Sequence, residues 1–128
     1  MVKKMLQAKL HRVRVTQADL HYEGSCGIDS DLLRVAGLIP NQYIDIYNIS
    51  NGERFGTYII PGAPGSGEIS LNGAAARKAL VGDLLIICAY SDYNEAEAQQ
   101  HKPILVFVNE RNRPTSSDRH VPARATAT

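Results

Sequence analysis

The apolar residues of this chain come in short runs dominated by Val, Ile and Leu, and that spacing confines it to a mainly β architecture. Residues 12–16 (RVRVT) and 43–49 (YIDIYNI) alternate apolar and polar, as a strand with one face on a core does. Asn51-Gly52 separates the second of these from another strand-like run, Phe55 to Ile60. Both residues tolerate the positive φ of a type I′ turn, so the sequence predicts a hairpin there. Residues 84–90 (LLIICAY) are continuously apolar and read as a strand buried on both sides, and 104–108 (ILVFV) as one more.

Helical signals are few. Asp29 or Ser30 caps a helix running through Ala36, with Leu32, Leu33 and Ala36 on one face and Gly37 as terminator. Asn72 caps a second, Ala74 to Leu80, and a weaker third spans Asn94 to Gln100. The first two each lead through a turn into a strand, YIDIYNI and LLIICAY respectively. This echo favours a small barrel built from two similar halves. A single domain over 1–110 fits the length of 128 residues. PGAPGSG (61–67) reads as a flexible surface loop, and 111–128, rich in Pro, Ser, Thr and Arg, as a flexible tail.

Composition removes several function classes. Lys and Arg total 14 against 13 Asp and Glu, which argues against a broad cationic surface for nucleic acid. Cys26 and Cys88 are the only cysteines, with no CxxC, so neither a disulfide scaffold nor a multi-cysteine zinc site is available and a cytoplasmic location fits. No apolar run is long enough to cross a bilayer, and residues 1–10 lack the pattern of a secretory signal. His11, His21, His101 and His120 show no metal-ligand spacing, PGAPGSG lacks the GK[ST] of a phosphate loop, and there is no G-x-S-x-G elbow.

The segment His21-Tyr-Glu-Gly-Ser-Cys-Gly-Ile-Asp29 stands apart. A Gly-Ser bond is ordinarily a plain loop. Given strain and an oxyanion donor, however, the serine Oγ can attack the preceding carbonyl and convert the amide to an ester. Cys26 beside it reads as a small buried side chain.

The run MLQAKLHRVRVTQADLHYEGSCGID (5–29) closely resembles the N-terminal region of the bacterial L-aspartate 1-decarboxylase family. The resemblance continues through IDIYNISNGERFGTYII (44–60) and ISLNGAAARKALVGDLLIICAY (69–90), in the family's order and spacing. Tyr47 stands where many members have Trp, and Gly27 where many have Ala. The resemblance implies a double-psi β-barrel that assembles as a homotetramer with active sites between subunits. It also implies decarboxylation of L-aspartate to β-alanine and CO2 for pantothenate, hence coenzyme A, synthesis. The cofactor implied is a covalent pyruvoyl group, with neither metal nor pyridoxal phosphate. Its ketone condenses with the substrate amine and accepts the electrons left when CO2 departs.

Site residues follow from the resemblance position by position. Cleavage falls between Gly24 and Ser25, leaving chains 1–24 and 25–128, with Ser25 converted to the pyruvoyl group and the Thr57 hydroxyl assisting and later binding substrate; the resemblance also leaves room for an accessory maturation factor, as in some relatives. Arg54 grips the retained side-chain carboxylate, a role a guanidinium fork suits. By itself Arg54 would read as a solvated hairpin residue. Tyr58 returns the proton, since a phenol stays protonated at neutral pH; by itself it would read as a packed strand tyrosine. Gly73, Ala74 and Ala75 offer backbone N–H groups to a carboxylate. Lys9 attracts the substrate, and His11, Tyr22 and Asn72 complete the pocket, Asn72 either capping the helix, the expected role, or polarising a carbonyl. Strand alternation puts Arg54, Gly56 and Tyr58 on one face and Thr57 on the other. One site can use both Thr57 and Tyr58 only at a bend or between subunits. The alternatives are a silent barrel subunit, or a pyruvoyl enzyme for another acidic amino acid such as glutamate.

Overall fold

The computed structural model describes residues 1–119. Nine strands form one sheet: β1 (Val2–Arg14), β2 (Gln17–Asp19), β3 (Ser25–Asp29), β4 (Tyr43–Asn48), β5 (Arg54–Gly62), β6 (Ile69–Asn72), β7 (Leu84–Asn94), β8 (Ile104–Val108) and β9 (Pro114–Arg119). Two short helices, α1 (Ser30–Ala36) and α2 (Glu95–Gln100), and a 3₁₀ segment, Gly73–Lys78, complete it. The order across the sheet is β2-β6-β3-β5-β4-β7-β1-β8-β9, with parallel pairs β1–β8, β2–β6 and β3–β5.

The alternation of the sequence becomes the two faces of this sheet. Ala8, Leu10, Ile44, Ile46, Ile59, Leu85 and Ile87 are wholly buried in one core that also takes Ile28, Ile69, Leu71 and Val106. Each such Leu or Ile contributes about 1.5–3 kcal/mol by leaving water. A single core can collect residues from strands so far apart in the order only because the sheet curls on itself. The seam is visible beyond the end of β1. Thr16 N–H donates to the Ile69 carbonyl at 2.8 Å, and its Oγ1 accepts from Ile69 N–H at 3.0 Å. Buried Asn112 closes the other side, bonding both Arg14 N–H and Arg14 C=O with its side chain and reaching the Gly67 carbonyl. The molecule is mainly β, as expected, with its nine strands in one sheet. The two helix–turn–strand units meet at its centre, where β4 and β7 pair antiparallel (Asp45↔Cys88, Tyr47↔Ile86).

Several local expectations change. α1 is capped by Asp29 and ended by Gly37 at φ +71°, as read. The second helix is instead a 3₁₀ segment, and Asn72 makes no side-chain cap bond to it. The 43–60 hairpin forms, but not through a type I′ turn. Gly52 has φ +81° and Asn51 does not share a positive φ. Asn48 organises a longer loop, its Oδ1 accepting from Ser50 and Asn51 N–H. The 61–67 loop is pinned: the Asp29 carboxylate accepts from Gly65 N–H (3.0 Å) and Gly67 N–H (2.8 Å), and Ser30 Oγ donates to the Gly62 carbonyl (2.6 Å). Within the stretch read as tail, Pro114–Arg119 pairs with β8; residues 120–128 lie outside the described residues.

Candidate active site

The centre of the site is a gap in the sheet. β3 begins at Ser25 and pairs with β5 only from Cys26↔Ile59 onward. The other edge of β5 is taken by β4 from Tyr58 back to Arg54. The β5 edge before Ile59 therefore has no strand on the β3 side, and the 3₁₀ segment after Asn72 roofs the opening. A cavity of about 390 Å³ fills it, lined by Gly24, Ser25, Phe55, Gly56, Thr57, Tyr58, Asn72, Ala74, Ala75 and Lys78. At this opening Thr57 and Tyr58 border one cavity within one chain. They point to opposite faces of β5, with Tyr58 41 % exposed, yet both border the cavity beside Ser25.

Ser25 is 2 % exposed and Asn72 4 %. They are register partners on β3 and β6. The Asn72 side-chain amide donates to Ser25 Oγ at 3.2 Å, and Ser25 Oγ in turn leans toward the Glu23 carbonyl at 3.4 Å. Asn72 is thus engaged with the nucleophile candidate rather than with a helix end. Gly73 follows at φ +64°, so close to the scissile segment that a Cβ there would stand 2.8 Å from Gly24 Cα and 2.9 Å from Gly24 N. Only glycine allows that approach.

Gly27 has a similar spatial reason. A Cβ there would collide with the Glu68 carboxylate and Ser70 Oγ, which are bonded to each other at 2.7 Å. Cys26, beneath, is fully buried, and burial together with the Glu68 charge pushes its thiol up to about 12. It stays a neutral packing group, as read.

Four expected site residues lie away from the cavity. Arg54 is on the outward face of β5, its guanidinium 4.1 Å from the Tyr47 ring centroid. Lys9 lies on the outward face of β1 opposite Cys88. Tyr22 is 58 % exposed, bordering a neighbouring cavity with Asn72, Glu68 and Ser70. His11 lines a third cavity with Arg12, Arg14 and Glu110, packs edge-on to Phe107, and keeps a buried Nδ1 without a partner. Burial, then Lys9 and Arg12, hold its pKa below the usual histidine value.

Lys78, which borders the cavity while paired to Glu53 at 2.8 Å, was not read from the sequence. Its one signal is position, five residues after Gly73 on the segment that roofs the opening. Among the described residues no group of three His, Cys, Asp or Glu gathers as around a metal ion. No helix among them is long and apolar enough to cross a membrane.

The family model for aspartate decarboxylases matches residues 1–115. The chain is 64% identical over 109 residues to an aspartate 1-decarboxylase of Bordetella avium (strain 197N), covering 85% of this chain and 89% of that protein. The corresponding protein of Methylibium petroleiphilum (strain ATCC BAA-1232 / LMG 22953 / PM1) is 63% identical, covering 85% and 91%. That of Acidovorax sp. (strain JS42) is 53% identical over 125 residues, covering 98% and 99%. A cavity built around a Gly-Ser bond, and likeness over nearly the whole length of these proteins, lead to one conclusion: the chain belongs to the aspartate decarboxylase family.

Proposed function

We propose that Ser25 becomes a pyruvoyl group by cleavage of the Gly24–Ser25 bond, and that the mature enzyme uses it to decarboxylate L-aspartate at this cavity. The enzyme is an aspartate 1-decarboxylase, a carboxy-lyase forming β-alanine and CO2. The observation that carries the site assignment is the buried Ser25 Oγ, held by Asn72 on the rim of a cavity that also holds Thr57 and Tyr58.

The residues fit the group. Donation from Asn72 leaves the serine hydroxyl proton directed toward the Glu23 carbonyl and fixes Oγ beside Gly24. Attack on the Gly24 carbonyl gives an ester, and the Thr57 hydroxyl, on the same cavity, stabilises its oxyanion precursor. Elimination across Ser25 Cα–Cβ releases the 1–24 carboxylate, and hydrolysis of the remaining imine by water expels ammonia and leaves the ketone. When formed, that group supplies an electron sink for loss of CO2. Tyr58 holds the proton returned to the substrate carbon, and its ring with Phe55, Ala74 and Ala75 keeps bulk water from that carbon.

Arg54 anchors the retained carboxylate. A grip on the departing carboxylate would stabilise the ground state instead. It sits four residues from Tyr58, roughly 13 Å along the strand, on a face directed away from the core. Arg54 and Lys9 are therefore proposed to serve the Ser25 cavity of a neighbouring subunit in a homotetramer. The cytoplasmic location belongs to the same proposal, supported by the free thiols of Cys26 and Cys88.

Denaturing mass spectrometry of aged protein tests this reading. Two chains split after residue 24 are expected, with aspartate plus borohydride tagging the longer one. Ser25→Ala should give one chain and no turnover. An uncut chain that still decarboxylates aspartate overturns the proposal.

A further inference from the structure

The outward face around Arg54 holds an aromatic arrangement that the mechanism does not use. Tyr47 and Arg54 are cross-strand partners, and the guanidinium lies over the Tyr47 ring at 4.1 Å. The Tyr47 hydroxyl meets the Tyr90 hydroxyl at 2.9 Å. Tyr47 is opposite Ile86, so Tyr90 stands four residues further along β7, and the two rings lean toward each other across the row of Asp45 and Cys88. They roof that row. Cys88, although its side chain is on the outward face, is 4 % exposed. Burial and the bond with Tyr47 push the Tyr90 phenol well above its ordinary value.

The acidic neighbour on this face is engaged elsewhere. Tyr43 leans across Gly56, where a Cβ would collide with its hydroxyl, and donates to Asp45 Oδ1 at 2.9 Å. Among the described residues no carboxylate is ion-paired with Arg54. The guanidinium is thus a cation held by a ring face, with its N–H edges left for a carboxylate.

We propose that Tyr90 is a positioning residue for Arg54. Its hydroxyl pins the Tyr47 ring, and the pinned ring sets the direction in which the guanidinium presents its fork to the substrate carboxylate. This rests on the reading of Arg54 as the carboxylate anchor. A phenol fixed only at its Cβ end can swing about χ1 and χ2. Fixed also at its hydroxyl, it is a rigid platform, and less ordering is left to be done when substrate binds.

The test uses the fully matured enzyme and Tyr90→Phe, which keeps the ring and removes the bond. Aspartate KM should rise about fivefold to tenfold, the scale of one lost neutral hydrogen bond. The turnover number and the yield of hydrazine-reactive carbonyl should stay within about twofold. Calorimetric titration with succinate, which offers carboxylates without an amine, should weaken by the same factor. Tyr47→Phe should match it, and the double variant should add nothing further, because either change breaks the same bond.

Arg54→Lys separates the two ideas. If it leaves succinate binding and KM unchanged, the anchor reading fails and the positioning role with it. If it weakens both while Tyr90→Phe weakens neither, the anchor stands and the role of Tyr90 is overturned. A Tyr90→Phe effect that persists in full on top of Arg54→Lys, or that falls on turnover or carbonyl yield alone, also overturns it.

Discussion

At the scale of single residues, the site depends on two side chains and one missing Cβ. Gly73 holds φ +64° against the backbone of Gly24. In Gly73→Ala the methyl would have to displace Gly24, and left-handed backbone adds its own cost of about 1–2 kcal/mol. Maturation of that variant is expected to slow at least about tenfold, equivalent to ~1.4 kcal/mol on the cleavage barrier. The decay of intact chain, followed by mass spectrometry, measures it; unchanged kinetics would show that the close contact does not govern cleavage. Tyr58→Phe removes a hydroxyl from the cavity without touching Ser25. It should cleave normally and lose about 10²-fold or more in turnover, the usual worth of a positioned proton donor. Full activity would exclude Tyr58 from that role.

These residues were visible in the sequence only through the resemblance. Composition and alternation gave no reason to prefer Tyr58 over Tyr43 or Tyr47. Asn72 shows the limit most clearly. An Asn before a short helical stretch reads as a cap, but the contact that occupies it comes from Ser25, 47 positions away along the chain. Local reading has no access to a partner that only the sheet register brings near.

Among the elements, those with a self-contained signal were legible. α1 has its cap, apolar face and terminator within one short stretch, and α2 has a reciprocal capping box between Asn94 and Glu97. Alternation marks β1 only from residue 12, although the strand starts at Val2. Its register shifts between Leu6 and Ala8 and between His11 and Val13, with Arg12 at φ +63°. Each shift breaks the period of two on which the reading depends. The 61–67 loop was misjudged for a related reason, since Gly and Pro content reports turns but not what holds them. Here the holder is Asp29, fully buried, which caps α1 through Asp31 N–H while also accepting from Gly65 and Gly67 N–H. Asp29→Ala would remove a cap and orphan two loop N–H groups together. A loss of about 2–4 kcal/mol is expected from the cap and the unsatisfied donors. Denaturant unfolding should show a lower midpoint with an unchanged slope. Asp29→Asn, which keeps an acceptor oxygen, should recover part of the loss. A midpoint equal to that of the unaltered protein would mean that the loop holds itself.

For the whole molecule, the mainly β fold was foreseeable from strand count and the two-fold echo, whereas a site shared between subunits came only from the family resemblance and not from the spacing of its residues. The sequence places Arg54 and Tyr58 four residues apart, and nothing in their spacing says that only Tyr58 borders the cavity beside Ser25. The curled sheet supplies the reason. Tyr58 borders the opening beside Ser25, while Arg54 lies further back on the outward wall over Tyr47. An anchor that faces away from its own chain's cavity implies a site completed by a second copy, with a different patch contributed by each. Mixing two defective chains decides this. Ser25→Ala chains have no reactive ketone but keep Arg54; Arg54→Ala chains mature but lack the anchor. If each site takes Ser25 from one subunit and Arg54 from another, random co-assembly at equal amounts makes about one site in four intact, because each of the two requirements is met half the time. Turnover at low aspartate should then recover to about a quarter of the unaltered enzyme's, far above either parent alone. Mixing the same chains after separate purification and assembly should give no recovery, which excludes trace contamination. If both residues act within one subunit, no assembly contains an intact site, and the co-expressed mixture can be no more active than the weighted sum of its parents.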